Sequence, residues 1–159
     1  MRTLATVLAL AVVTNAAVGA APVPAGAKDG SPLPVDTVWK GKLTQRGGGP
    51  TGFDCAFTVT KRDGDKFEAT LYEKSDELEV TYLVRGTVAP ADPKDKDKGF
   101  KVEFKSYEAK DVKNTTEIVG VPYTGTFDGK KLKGTWKLPD DSPLGQLEGD
   151  FEFDLSKKE

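Results

Sequence analysis

The chain has 159 residues, a length that suits one domain with a real core, and its 23 basic and 25 acidic side chains nearly balance. That balance gives no electrostatic case for nucleic acid or an anionic membrane as partner. It has no histidine, the commonest general base and metal ligand near neutral pH, and its single cysteine, Cys55, excludes an intramolecular disulfide.

The first segment reads as an export signal. Met1-Arg2-Thr3 gives a positive start, Leu4 to Val13 is apolar apart from Thr6, and Val18-Gly19-Ala20 fits cleavage before Ala21. Ala25-Gly26-Ala27 is a second possible cleavage point. A signal peptide over 1–20 predicts a secreted or periplasmic protein. A membrane anchor needs about 20 apolar residues, and this run is shorter, so no membrane insertion is expected after cleavage. Loss of Arg2 leaves 22 basic against 25 acidic side chains, still a solubilising balance. The stretch 21–36, with Pro22, Pro24, Pro32 and Pro34 among Ala, Gly and Ser, reads as an extended, poorly ordered leader. One domain follows over 37–159.

In that domain the pattern predicts eight strands and no helix, over 37–45, 54–61, 66–73, 78–89, 99–107, 117–127, 131–138 and 147–155. Five segments repeat apolar-x-Gly-x-apolar: Trp39 to Leu43, Val84 to Val88, Tyr123 to Phe127, Leu132 to Trp136 and Leu147 to Phe151. In a strand, residues i, i+2 and i+4 share a face, so each glycine lies between two large inward side chains. Elsewhere the alternation is equally regular. Phe100, Val102 and Phe104 oppose Lys101, Glu103 and Lys105, and Phe151, Phe153 and Leu155 oppose Glu152 and Asp154. Such a period of two signals a sheet packed on one side and wet on the other. Asp63-Gly64 and Asp128-Gly129 are strong hairpin signals. No connection is long enough for a crossover helix, so sequence neighbours should pair antiparallel.

An all-β fold follows, an eight-stranded antiparallel up-and-down β-barrel, with a β-sandwich as the alternative. Inward glycines favour closure, because tight coiling requires such points of relief. The charged face must lie outside, so the barrel is of the water-soluble kind rather than a membrane barrel. From Thr37 to Leu155 the arrangement resembles the calycin type, the up-and-down barrels of avidins and lipocalins. The likeness lies in strand count, hairpin order and strand-borne glycines and tryptophans. Lipocalins carry Gly-x-Trp on the first strand; here Trp39-Lys40-Gly41 reverses that order, and Gly134-Thr135-Trp136 lies on the seventh. The resemblance therefore implies a fold and no particular ligand.

Up-and-down order gathers the loops at 46–53, 74–77, 108–116 and 139–146 on one rim. That rim holds Arg46-Gly-Gly-Gly-Pro50, and strand parity turns Glu73, Glu108 and Glu117 inward beneath it. A polar, flexible mouth over an aromatic lumen is where such a barrel takes one small ligand. The candidate ligand-binding residues are Trp39, Arg46, Glu73, Tyr82, Glu108, Glu117, Tyr123 and Trp136. The blander reading stands beside it: the aromatics fill the lumen as core and the glutamates face water. A carboxylate rim disfavours anions and suits a neutral or cationic ligand; Arg46 on the Gly-rich loop complicates that, and a neutral polar molecule is expected over a fatty acid.

No catalytic residue, metal site or cofactor is predicted. Cys55 faces inward beside Phe57, where a thiol is inert packing. Two of the three glutamates acting on a glycoside would be the remaining route to catalysis. The run Asp92-Pro-Lys-Asp95-Lys-Asp97-Lys-Gly99 departs from a calcium loop in its ligand spacing and reads as solvated. Asn114-Thr115-Thr116 matches a glycosylation acceptor. The chain is expected to be a non-enzymatic binding module for a small neutral polar molecule or a partner. An exported structural or interaction protein with a filled barrel is the alternative.

Overall fold

The fold was analysed in a computed structural model, which describes residues 32–47, 52–76, 78–95, 98–115 and 117–156. The proposed signal, most of the leader and the Gly48-Gly49-Pro50 stretch of the first loop lie outside the described residues. Eight strands follow in order: β1 (Val38–Gln45), β2 (Phe53–Asp63), β3 (Lys66–Lys74), β4 (Glu79–Pro90), β5 (Phe100–Lys113), β6 (Pro122–Phe127), β7 (Lys131–Lys137) and β8 (Glu148–Leu155). Each pairs antiparallel with the next, and β8 pairs with β1, so the sheet closes into an up-and-down barrel. The sandwich alternative is excluded.

Closure depends on the repeated glycines. Gly125 and Gly134 face each other across β6 and β7. A Cβ built on Gly134 would fall on the carbonyl oxygen of Thr124, and one on Gly125 would fall on that of Lys133. Gly41 and Gly86 stand in the same relation to the carbonyls of Glu152 and Glu103. The sequence pattern assigns these glycines to relief between large inward neighbours. The tighter constraint is the backbone of the adjacent strand, which bends into the space a side chain would need.

The lumen is solid over its half distal to the long loops. Trp39 is fully buried, with its ring 6.1 Å from Phe57 and 6.0 Å from Phe127. Phe57 in turn lies 5.2 Å from Phe104 and 6.3 Å from Phe153. The first three are edge or tilted contacts and the last is a near-parallel one at 15°, all within the favoured range of aromatic geometries. The leader contributes here too. Leu33 is fully buried in the same core, Pro34 is buried, and the Asp36 amide donates to the Val59 carbonyl at 2.9 Å. Leu33 and Pro34 thus pack against the end of the barrel where β1 begins.

Two strands differ from the sequence pattern. β6 begins at Pro122 rather than near Glu117, because Gly120, at φ +83°, turns the chain just before it. β5 runs on to Lys113; its last ladder pair with β6 is Lys105–Pro122, Ser106 still bonds the backbone of Gly120 and Val121, and the residues beyond pair with β4. Within that extension the register with β4 slips, Val84 facing Ser106 and Leu83 facing Glu108. The extra residue is Tyr107, whose ring takes the Arg85 guanidinium at 3.7 Å. A bulge of this kind reverses which later residues face inward.

Gly134→Ala and Gly149→Ala should each lower the unfolding free energy by about 1–3 kcal/mol, the usual cost of overpacking. Thr126→Ala, on the outer face, serves as the control. Urea denaturation checks this, and parent-like midpoints for both glycine variants would refute the close strand approach.

Candidate functional site

The aromatic filling stops short of the rim that carries the long loops. There a cavity of about 130 Å³ opens between strands β1, β2, β3, β4, β6 and β7. Its walls are mainly apolar, with Leu43 and Phe53 on one side and Val80, Ile118 and Leu138 on the other. Gln45 and Thr115 border it, and Glu73, Tyr82, Tyr123 and Trp136 reach it from four different strands. Each of these four occupies an inward position near the rim end of its strand, which is why period-two parity brings them together.

Trp136 is fixed across the wall of the barrel. Its Nε1–H donates to the carbonyl of Thr44 on β1 at 3.1 Å, passing over β8. Gly149 makes room for this, since a Cβ there would meet Trp136 Nε1 at 2.7 Å and run into the Thr44 carbonyl. Tyr123 is held by its ring, stacked 4.6 Å from Phe104 at 4°.

Glu73 is the unusual group. It is 9% exposed, and its only hydrogen bond among the described residues comes from the Tyr123 hydroxyl, which donates to Oε1 at 3.3 Å. No cation faces it. Burial raises its pKa from 4.5 to about 7, the Tyr123 bond offsetting only part of the penalty. Burial, then the Glu73 charge, pushes the Tyr82 hydroxyl up to about 12 and the Tyr123 hydroxyl well above its usual value. Both phenols thus remain protonated donors. Cys55, one strand away, is buried and its thiol donates to the Phe53 carbonyl; burial and Glu73 raise its pKa, so it stays a neutral thiol.

The structure divides the eight candidate residues. Glu73, Tyr82, Tyr123 and Trp136 share the cavity. Trp39 lies at the opposite end of the lumen, inside the aromatic core. Arg46 turns outward: its Nε donates to Asp150 Oδ2 at 3.0 Å and its Nη1 lies 3.6 Å from Glu148. Backbone pairing of Arg46 with Glu148 sets this direction. Glu108 is turned out by the β5 bulge and sits 3.7 Å from Lys110. Glu117 is exposed on the β5–β6 connection. The three glutamates are therefore not assembled, and no facing carboxylate pair arises from them. The candidate set omitted the wall formed by Ile118 and Val121, which come from the β5–β6 connection, and Leu147, which the glycine signature turns inward. Only Leu144, 51% exposed in an otherwise polar loop, gave a local signal of an apolar rim.

Other features of the surface have simpler accounts. Lys98 lies 3.0 Å from Asp92 and 3.7 Å from Asp95, so those carboxylates serve a lysine. Lys131 pairs with Glu152 and Asp154, as expected for the acidic row of β8. Two open grooves of about 380 and 580 Å³ lie over Gly86 and over the Gly125–Gly134 pair. They are outer creases of the bent strands and hold no buried polar side chain. Among the described residues no group of histidine, cysteine or carboxylates is arranged to hold a metal ion. In comparisons with known proteins, no family model, curated protein or solved structure matches this chain.

Glu73 makes the fold sensitive to pH. Between pH 4.5 and about 7 the unfolded chain releases this proton while the folded protein keeps it. The resulting stability is fully present below 4.5 and is lost as pH rises through 7. A shift of this size corresponds to something on the order of 3 kcal/mol. Glu73→Gln has no such proton, so its stability relative to the parent should rise by about that amount between pH 4 and pH 8. Chemical denaturation at the two pH values checks this, and a constant difference would show a hydrated carboxylate.

Proposed function

We propose that this chain is an exported, non-enzymatic binding module that takes one small polar molecule into the mouth of its barrel. The observation that carries the reading is Glu73, a carboxyl group buried with one neutral partner at the floor of an otherwise apolar cavity. A glutamine or leucine there would fold at lower cost, since an unpaired buried carboxylate is strongly penalised. Groups held at such a cost cluster where a ligand is recognised. Few convergent polar groups on apolar walls are also the ordinary composition of a ligand site.

Size limits the ligand. A cavity of about 150 Å³ holds one benzene molecule, so about 130 Å³ admits a group of roughly that bulk. Larger molecules would leave their remainder among the rim loops. Export is supported by the charged start, apolar run and Val18-Gly19-Ala20 in the correct order, and the calycin likeness by strand count and hairpin order. The second reading, an interaction protein with a filled barrel, is favoured by Leu144 and Val119, which are 51% and 42% exposed on connections at the mouth.

Tryptophan fluorescence separates the two. Trp136 lines the cavity and Trp39 does not, so a Trp39→Phe protein reports on the mouth alone. Small alcohols, amides, amines, sugars and fatty acids should be titrated against it. A saturable response to a polar class, lost in Trp136→Phe, is expected. Silence from every class would leave the filled-barrel reading, and a response to fatty acids alone would refute a polar mouth.

A further inference from the structure

The balance of charge at the mouth differs from the one the sequence suggests. Arg46 was the reason to expect a neutral ligand, and it is committed outside the barrel to Asp150 and Glu148. The groups that face Glu73 are Cys55 from β2, Tyr82 from β4 and Tyr123 from β6, none of them cationic. Lysines are plentiful on the chain, yet no lysine or arginine lines this cavity among the described residues.

We propose, resting on the binding-module reading above, that the group received by the mouth is the ammonium of a small primary amine, with Glu73 as its counter-ion. Three considerations converge. An anion would meet an uncompensated carboxylate in a site of low polarity, which is strongly unfavourable. A neutral alcohol supplies one donor and leaves the carboxylate charge buried and unpaired. A primary ammonium brings three donors, and the cavity offers the Glu73 carboxylate and the phenol oxygens of Tyr82 and Tyr123. The aromatic faces of Tyr82 and Trp136 add to this, since a desolvated cation is attracted to aromatic rings. The apolar walls at Leu43 and Val80 then receive a short alkyl or aryl body.

Charge pairing inside such a site also explains why the carboxyl is tolerated. Without ligand, Glu73 is the destabilising element of the mouth; with an ammonium it becomes half of a satisfied ion pair. A buried charge without its partner is far costlier than an apolar replacement of the whole pair, so a cation that pairs with Glu73 recovers part of that cost on binding.

The test uses the full chain carrying Trp39→Phe, at pH 8, where both the amine and Glu73 are ionised. The probes are n-butylamine, n-butanol, butyramide and butyrate, matched in size and differing in the terminal group. The amine should bind roughly tenfold or more tightly than the alcohol and the amide, the scale of a hydrogen bond to a charged group, and butyrate should not bind. Glu73→Gln should lose that preference while still binding butanol, and Glu73→Asp, which keeps the charge, should retain it. If the alcohol or amide matches the amine, or if Glu73→Gln keeps the preference, the ammonium assignment is wrong and the binding-module reading stands. If none of the four probes nor any member of the wider panel alters Trp136 emission, both are wrong.

Discussion

Backbone carbonyls of neighbouring strands occupy the space where side chains would stand at Gly41, Gly86, Gly125, Gly134 and Gly149. Everything else in the barrel follows from that approach. Closing eight strands around so narrow a lumen demands strong coiling, and coiling presses one strand against the next at those glycines. The lumen that results is narrow enough for aromatic rings from non-adjacent strands to touch, Phe57 with Phe104 and Phe104 with Phe151. With no disulfide within the chain, this ring-to-ring packing is the main source of cohesion, helped by Leu33 at the end opposite the mouth.

The same geometry explains why a cavity appears at one end only. At the distal end, short hairpins such as the one at Asp128, whose side chain accepts the Lys130 and Lys131 amides at 2.9 and 2.8 Å, hold the strands together and let aromatics fill the space. At the mouth, β5 parts from the β6 side after Ser106, which still bonds Gly120 and Val121, and continues on β4, so connections supply part of the lining. A barrel filled throughout would be more stable. Placing Glu73 in this opening sacrifices stability locally, and the packed half supplies the margin that tolerates it.

Outside, charge is arranged in rows that satisfy one another. Lys131 with Glu152 and Asp154, Arg46 with Asp150 and Glu148, and Lys113 with Glu79 are largely exposed pairs. Individually such pairs add little to stability. Their consequence is positional: they hold Arg46 away from the mouth and leave Glu73 without a positive neighbour. The electrostatic character of the cavity is thus decided partly by pairing on the opposite face of the sheet.

Local sequence determined the strands, the inward and outward faces, the hairpins at Asp63-Gly64 and Asp128-Gly129, and half of the mouth. Glu73, Tyr82, Tyr123 and Trp136 were legible because each follows the unbroken period of its own strand. The remaining residues depended on information no single strand contains. Glu108 faces outward because Tyr107 is inserted opposite β4, and a one-residue slip reverses every inward assignment beyond it. Arg46 faces outward because β1 pairs with β8, a contact between the two ends of the domain that brings Asp150 within reach. Glu117 fell outside its strand because Gly120 turns the chain before β6 begins. Trp39 obeyed its parity and still missed the mouth, since parity gives the face of a sheet and not the height along the barrel. Periodicity is a property of neighbouring residues, whereas register, depth and charge pairing are fixed only when distant strands meet.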